Sequence, residues 1–266
     1  MIRSTATLGM LAAVLFASGC DGGSSTAQSG CSVRSLQGAY IYALDGFSIS
    51  GDTGSQRTPF AQSGRELFKG DGTMSGVGVG NFNGNVVHVA YTGTYTVAAD
   101  CSGAVTFTDA AAAVSHYDIA LQDDGAAFGF VQTDPNVVTA AFERRRTTSD
   151  KPCSQATLKG NYVYAGDGFV IAGGGSTQRM PFATAGREVY GGDGTISGND
   201  TTSTNGVVER TAYTATYTVN ADCSATYVYD NDPTNPYALF LDPSGREFAY
   251  VATAATRVAA GYERRQ

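Results

Sequence analysis

The stretch YTGTYTVAADC, Tyr91 to Cys101, returns almost unchanged as YTATYTVNADC, Tyr213 to Cys223. Thr92, Thr94 and Thr96 alternate with Tyr91 and Tyr95, which is the period of a β-strand, and the second copy keeps both the alternation and the terminal cysteine. Sliding the chain so that Cys101 falls on Cys223 also lays Cys31-Ser32 on Cys153-Ser154 and LQGAYIYALDGF (Leu36 to Phe47) on LKGNYVYAGDGF (Leu158 to Phe169). The same shift matches QRTPFAQSGREL with QRMPFATAGREV and GDGTMSG with GDGTISG. Past the cysteine the register shortens slightly, bringing Phe128 onto Phe248 and FERR at Phe142 onto YERR at Tyr262. The chain is a tandem duplication, with one unit over residues 31–146, a polar linker over 147–152 and a second unit over 153–266. Each unit is long enough to bury a core of its own, and a single duplication is too short for a solenoid.

Within the first unit, strand-like runs cover Gly38–Ile49, Thr58–Lys69, Thr73–Phe82, Val86–Thr92, Thr94–Ala99, Ala104–Thr108, His116–Gln122, Ala126–Thr133 and Val137–Arg145. They are separated by the turn formers Asp71-Gly72, Asn83-Gly84, Asp124-Gly125 and Asp134-Pro135. Short strands joined by short turns make a meander, which disposes of its exposed edges most simply by closing on itself. The expected fold is all-β, two tandem small antiparallel meander β-barrels of about eight strands each. The composition agrees: 34 glycines, no tryptophan, 15% charged residues and no helix-period apolar stripe. A net charge of −7 without a Lys/Arg cluster argues against nucleic acid as a partner.

The first segment, MIRSTATLGMLAAVLFASGC, carries Arg3, an apolar run from Leu8 to Phe16 and the small residues Ala17-Ser18-Gly19. That run falls short of the roughly 20 residues needed to cross a bilayer, so residues 1–19 read as a signal peptide. Small residues directly before Cys20 resemble the bacterial lipobox, which implies lipidation of Cys20, a membrane partner through that lipid, and residence in the bacterial cell envelope facing the periplasm or the cell surface. Residues 20–30 are small, polar and glycine-rich and read as a flexible tether. Cys31, Cys101, Cys153 and Cys223 remain, in matching places of the two units. A unit that folded alone before duplication pairs its own cysteines, Cys31 with Cys101 and Cys153 with Cys223, and an exported chain meets an oxidising compartment. No CxxC spacing or neighbouring histidine supports a metal site, and no cofactor is expected.

Positions that carry a charge or polar group in one copy only mark the solvent face. On that criterion Lys69 (against Gly191), Arg257 (against Val137) and Asn161 (against Ala39) point outward. Alternation then sends Glu66, Phe68, Tyr40, Tyr42, Tyr91 and Tyr95 inward in the first unit. In the second it sends Glu188, Tyr190, Tyr162, Tyr164, Tyr213 and Tyr217 inward. These are the candidate ligand-binding residues. The same step turns Phe142, Tyr262, Arg144 and Arg264 inward, which makes Arg144 the nearest partner for a buried Glu66. The plain reading is a structural ion pair. The sharper one makes Glu66 and Glu188 weak catalytic candidates that orient a ligand or act as a general base. His88 and His116 have no counterpart in the other copy and read as surface residues. No GxSxG elbow, P-loop or HExxH occurs.

The pieces GREL with GDGTMSG, YTGTYTVAADCSGAVTF and FVQTDPNVVTAAFERR, in that order, resemble a family of small exported bacterial domains similar to the allene-oxide-cyclase barrel, itself related to dirigent and lipocalin-type barrels. The resemblance covers both units. It implies a barrel whose interior holds one small apolar molecule or is filled by side chains, and it allows a cyclase or isomerase that needs little conventional catalytic apparatus. The leading expectation is a non-enzymatic envelope lipoprotein that binds a small apolar or aromatic ligand or serves a structural surface role. The alternatives are a cyclase or isomerase working in the cavity and an adhesion or assembly module. Cavity size separates them.

Overall fold

The structure is a computed structural model that describes residues 30–51, 56–172 and 178–266. The expected signal peptide and Cys20 lie outside the described residues. The first unit runs β1 (Gln37–Ser50), β2 (Gln56–Lys69), β3 (Thr73–Phe82), β4 (Asn85–Val97), β5 (Ser102–Asp109), β6 (Val114–Leu121), β7 (Ala127–Gln132) and β8 (Val137–Arg145). The second repeats it as β9 (Lys159–Ile171), β10 (Arg179–Gly191), β11 (Thr195–Thr204), β12 (Val207–Val219), β13 (Ser224–Tyr229), β14 (Asp232–Leu241), β15 (Glu247–Ala252) and β16 (Arg257–Arg265). Each set is a closed antiparallel barrel in which the first strand bonds to both the second and the last. The expected break near Gly93 does not occur, because β4 runs through it as one strand paired to β3 and β5.

Sequence-local chemistry sets the turns. Asn83 and Gly84 both take positive φ, 53° and 89°, as the tight two-residue hairpin between β3 and β4 requires. Inside the barrel the GVGVG run of β3 makes room for rings: a Cβ on Gly76 would stand 2.4 Å from the Tyr91 ring, and one on Gly78 would stand 2.5 Å from the Tyr42 hydroxyl.

One end of each barrel is shut. In the first, Tyr40, Phe68, Phe128 and Tyr95 pack with ring centroids 5.1 to 5.6 Å apart. Their hydroxyls are spent on backbone: Tyr40 donates to Gly125 O at 2.6 Å and Tyr95 to Leu36 O at 2.8 Å. Below them a 3₁₀ turn, Val33–Ser35, is tied to the β4–β5 turn by the Cys31–Cys101 disulfide. Cys153–Cys223 does the same in the second barrel, and each bond spans 70 residues of sequence. Closing a loop of that size removes about 4 kcal/mol of chain entropy from the unfolded state on the loop-entropy estimate.

The barrels share an apolar seam. Ile41, Ala43, Ala61 and Val79 from the outer face of the first meet Phe240, Ala249, Val251 and Val258 from the second. At its edge Asn81 is buried, and its Nδ2 donates to Ala252 O, Ala254 O and Arg257 O at 2.8 to 2.9 Å while its Oδ1 accepts from Gly84 N. Tyr262 reaches back across the seam, donating to Phe142 O at 2.6 Å and accepting from Ala43 N at 3.2 Å. In the linker Thr147 N and Oγ1 both donate to Asp242. These bonds satisfy polar groups that the seam would otherwise strand out of water.

Candidate functional site

The interior of the first barrel is organised by β1. Glu66 on β2 stands opposite Tyr40, and Glu143 on β8 stands opposite Tyr42, so both carboxyls share the inward face of Tyr40 and Tyr42. They are each 4% exposed, and Glu143 lies within reach of the charge of Glu66. Tyr91 donates to Glu66 Oε1 at 2.6 Å, and Gln62 Nε2 donates to the Tyr42 hydroxyl at 2.6 Å. Among the described residues no donor reaches Glu66 Oε2 or Glu143 Oε2. Two adjacent buried carboxyls do not both ionise, so the pair keeps a proton. Burial pushes the Glu66 carboxyl up to about 7. Burial and then the charge of Glu66 hold Glu143 well above the usual carboxylate range. Burial and the same charge raise the Tyr91 and Tyr117 phenols, which therefore stay protonated.

Beyond the carboxyls an edge-to-face staircase of Tyr91, Phe107, Tyr117 and Phe130, at centroid steps of 5.0 to 5.6 Å, forms one wall. Val105, Ile119 and Val137 supply aliphatic surface. The cavity measures about 240 Å³.

The second barrel repeats the frame and fills it. Glu188 is opposite Tyr162 and Glu263 opposite Tyr164. Here Glu188 Oε1 accepts from Tyr213 at 2.7 Å and from Tyr227 at 3.0 Å. Tyr227 stands on β13 where Val105 stands on β5, each paired across to the closed-end tyrosine of the preceding strand. Arg257, in the position of Val137, lies 4.8 Å over the Phe182 ring and reaches the Tyr237 hydroxyl at 3.2 Å. About 50 Å³ is left.

The sequence-derived candidates divide between two levels. Tyr42, Glu66 and Tyr91 line the first cavity, as Tyr164 and Glu188 line the second, and Tyr213 holds Glu188. Tyr40, Phe68 and Tyr95, with Tyr162, Tyr190 and Tyr217, form the closed ends instead. The expected inward direction of Phe142, Tyr262, Arg144 and Arg264 is overturned. Phe142 is 61% exposed, Tyr262 packs against the seam, and Arg144 and Arg264 meet Glu247 on the outside, at 3.8 and 2.9 Å. The cause is Arg257: its charge marks it as solvent-facing in sequence, yet stacking on Phe182 holds it inside the barrel, and a one-residue error in register flips a whole strand. Glu66 therefore faces Glu143, not Arg144. Glu143 and Glu263 carried a readable signal, since FERR and YERR keep the glutamate while the aromatic before it varies.

No protein-family model and no curated protein matches the sequence. Structural similarity is found to a protein of unknown function of the DUF3598 family from Nostoc punctiforme (TM-score 0.25, 12% identity, over 87% of this chain and 97% of that one). It is also found to an AttH candidate from Nitrosomonas europaea (TM-score 0.28, 9% identity, 85% and 92%). A third is the isotype 1 transferrin binding protein B of serogroup B Neisseria meningitidis (TM-score 0.28, 10% identity, 86% and 75%). At these scores the fold assignment rests on the strand ladders described above.

The raised carboxyls set a pH dependence. Glu66 ionises near 4.5 in an unfolded chain and near 7 when folded, so its contribution is fully present below pH 4.5 and is lost as pH rises through 7. The loss is roughly 3 kcal/mol. Glu143 and Glu263 act with the same sign. Thermal unfolding of the full chain is expected to show a lower midpoint at pH 8 than at pH 5, with Glu66→Gln raising the pH 8 value. A midpoint independent of pH in the wild type would contradict the pair.

Proposed function

We propose that this is a lipid-anchored protein of the bacterial envelope whose first barrel holds one small, largely apolar or aromatic molecule, while the second is a closed structural partner. The carrying observation is the asymmetry of the duplication, about 240 Å³ of interior against about 50 Å³ in the same frame. Drug-sized ligands need about 300 Å³ or more, whereas an apolar cavity of about 150 Å³ takes up benzene, so the fitting size is one ring with a short substituent. Anchoring is supported by the small residues before Cys20, and export by two disulfides that would not persist in a reducing compartment.

The Glu66–Glu143 pair favours a second reading, a cyclase or isomerase of the kind the sequence resemblance implies. A carboxyl poised near pH 7 beside a protonated one can accept and return a proton.

Exchanging the residues that distinguish the cavities tests the binding reading. Toluene or indole, followed by chemical shifts of the cavity residues, is expected to bind the wild type, and Val105→Tyr is expected to weaken binding at least about tenfold by filling the space as Tyr227 does. Equal binding by wild type and variant would place the ligand elsewhere. The anchoring reading predicts that the protein expressed with its own leader fractionates with membranes and that Cys20→Ser releases it. A wild-type protein found soluble in the periplasm would defeat it.

A further inference from the structure

The first cavity has acceptors and negative charge in excess. Its titratable walls are Tyr42 from β1, Glu66 from β2, Tyr91 from β4, Asp109 from β5, Tyr117 from β6 and Glu143 from β8, while β3 and β7 contribute none. Among the described residues lining it there is no Lys, Arg or His. Three of its donors are committed: Tyr91 to Glu66, Gln62 to Tyr42, and Tyr117 to Gln132 Oε1 at 3.3 Å. Asp109 is occupied too, accepting from Ala111 N and Ala113 N at 2.9 Å. Above pH 7, where Glu66 ionises while Glu143 keeps its proton, the pair carries a negative charge that no cation among the lining residues compensates, in a barrel walled by rings. A buried charge of that kind is costly unless it is matched. A neutral ligand would leave the charge as it is, and an anion would add to it. A cation whose body is apolar satisfies every part of the site: its N–H groups reach Glu66 Oε2 and Glu143 Oε2, and its charge lies against the Tyr91, Phe107 and Tyr117 rings, which attract cations.

We propose that the first barrel recognises a small aromatic or apolar amine in its protonated form, the ammonium seated between Glu66 and Glu143. This rests on the ligand-binding reading above and names the class of ligand. Glu188 Oε2 is likewise without a donor, but the second barrel does not share the property, because Arg257 places a protein cation among its lining residues and only about 50 Å³ is left.

Titration of the full chain with benzylamine, toluene and benzoate tests it. Benzylamine is expected to bind at least tenfold more tightly than toluene at pH 8, with benzoate weakest. Below pH 7 the ammonium has to displace a proton from the pair, so the benzylamine advantage should shrink by about tenfold per pH unit while toluene binding stays level. Glu66→Gln and Glu143→Gln, which are nearly the same size as the wild-type side chains, should each bring benzylamine down to the level of toluene, with thermal unfolding of each variant reporting that the barrel is folded. Toluene or benzoate binding as well as benzylamine would overturn the amine assignment and leave the ligand-binding reading standing. Binding of none of the three would overturn both.

Discussion

Everything in the first barrel follows from the ladder that closes it. Because β1 pairs with β2 on one side and β8 on the other, residues far apart in sequence, Glu66 and Glu143, come to flank the same pair of tyrosines. An open meander would leave those carboxyls at separate edges in water, each ionised near 4.5 and of no consequence. Closure removes the water, and a low-dielectric interior does not tolerate two adjacent charges. The pair keeps a proton, the surrounding phenols keep theirs, and the site becomes a set of hydrogen-bond acceptors and one negative charge within an apolar cup.

Duplication then lets the same frame be used in opposite ways. The closed ends are nearly identical, down to the tyrosine hydroxyls that bond Leu36 O and Leu158 O at 2.8 Å. Divergence is concentrated at the open half, where Val105 becomes Tyr227 and Val137 becomes Arg257. Tyrosine closes the space, adds a second donor to Glu188 Oε1 and adds ring contacts, all of which favour stability. The first copy forgoes those contacts and keeps a cavity and a carboxyl pair with no cation among the lining residues, which is how a functional site is expected to look beside a structural twin. The seam joins the two: Asn81 from the first barrel holds the backbone of Arg257, the residue that caps the second.

Much of this is legible in the residues. The repeat fixes the units, turn chemistry and alternation fix the strands, and duplication fixes the disulfide pairing. On β1, β2 and β4 the inward face follows from period-2 alternation, because there the polar marks (Lys69, Asn161, the threonines of the opening stretch) lie outside. On β8 the mark misleads. Arg257 is inside because a guanidinium can stack on a ring and bond a phenol, and nothing in a pairwise comparison of copies distinguishes that from solvation. The loss is not small, since it hides Glu143 and substitutes a salt bridge for a carboxyl pair that keeps a proton. Cavity volume is illegible for a different reason: it depends on how rings from seven strands interlock, and two copies of one frame differ in it several-fold.

The proton kept by the pair is the central claim, and it can be observed directly. Carbon-13 spectra of the side-chain carboxyls in glutamate-labelled protein, followed against pH, should show one first-barrel carboxyl with a midpoint near 7 that disappears in Glu66→Gln, and its neighbour still protonated above that pH. Titration of every glutamate near 4.5 would mean that Glu66 and Glu143 are hydrated and apart, and the account of the site would fail with them.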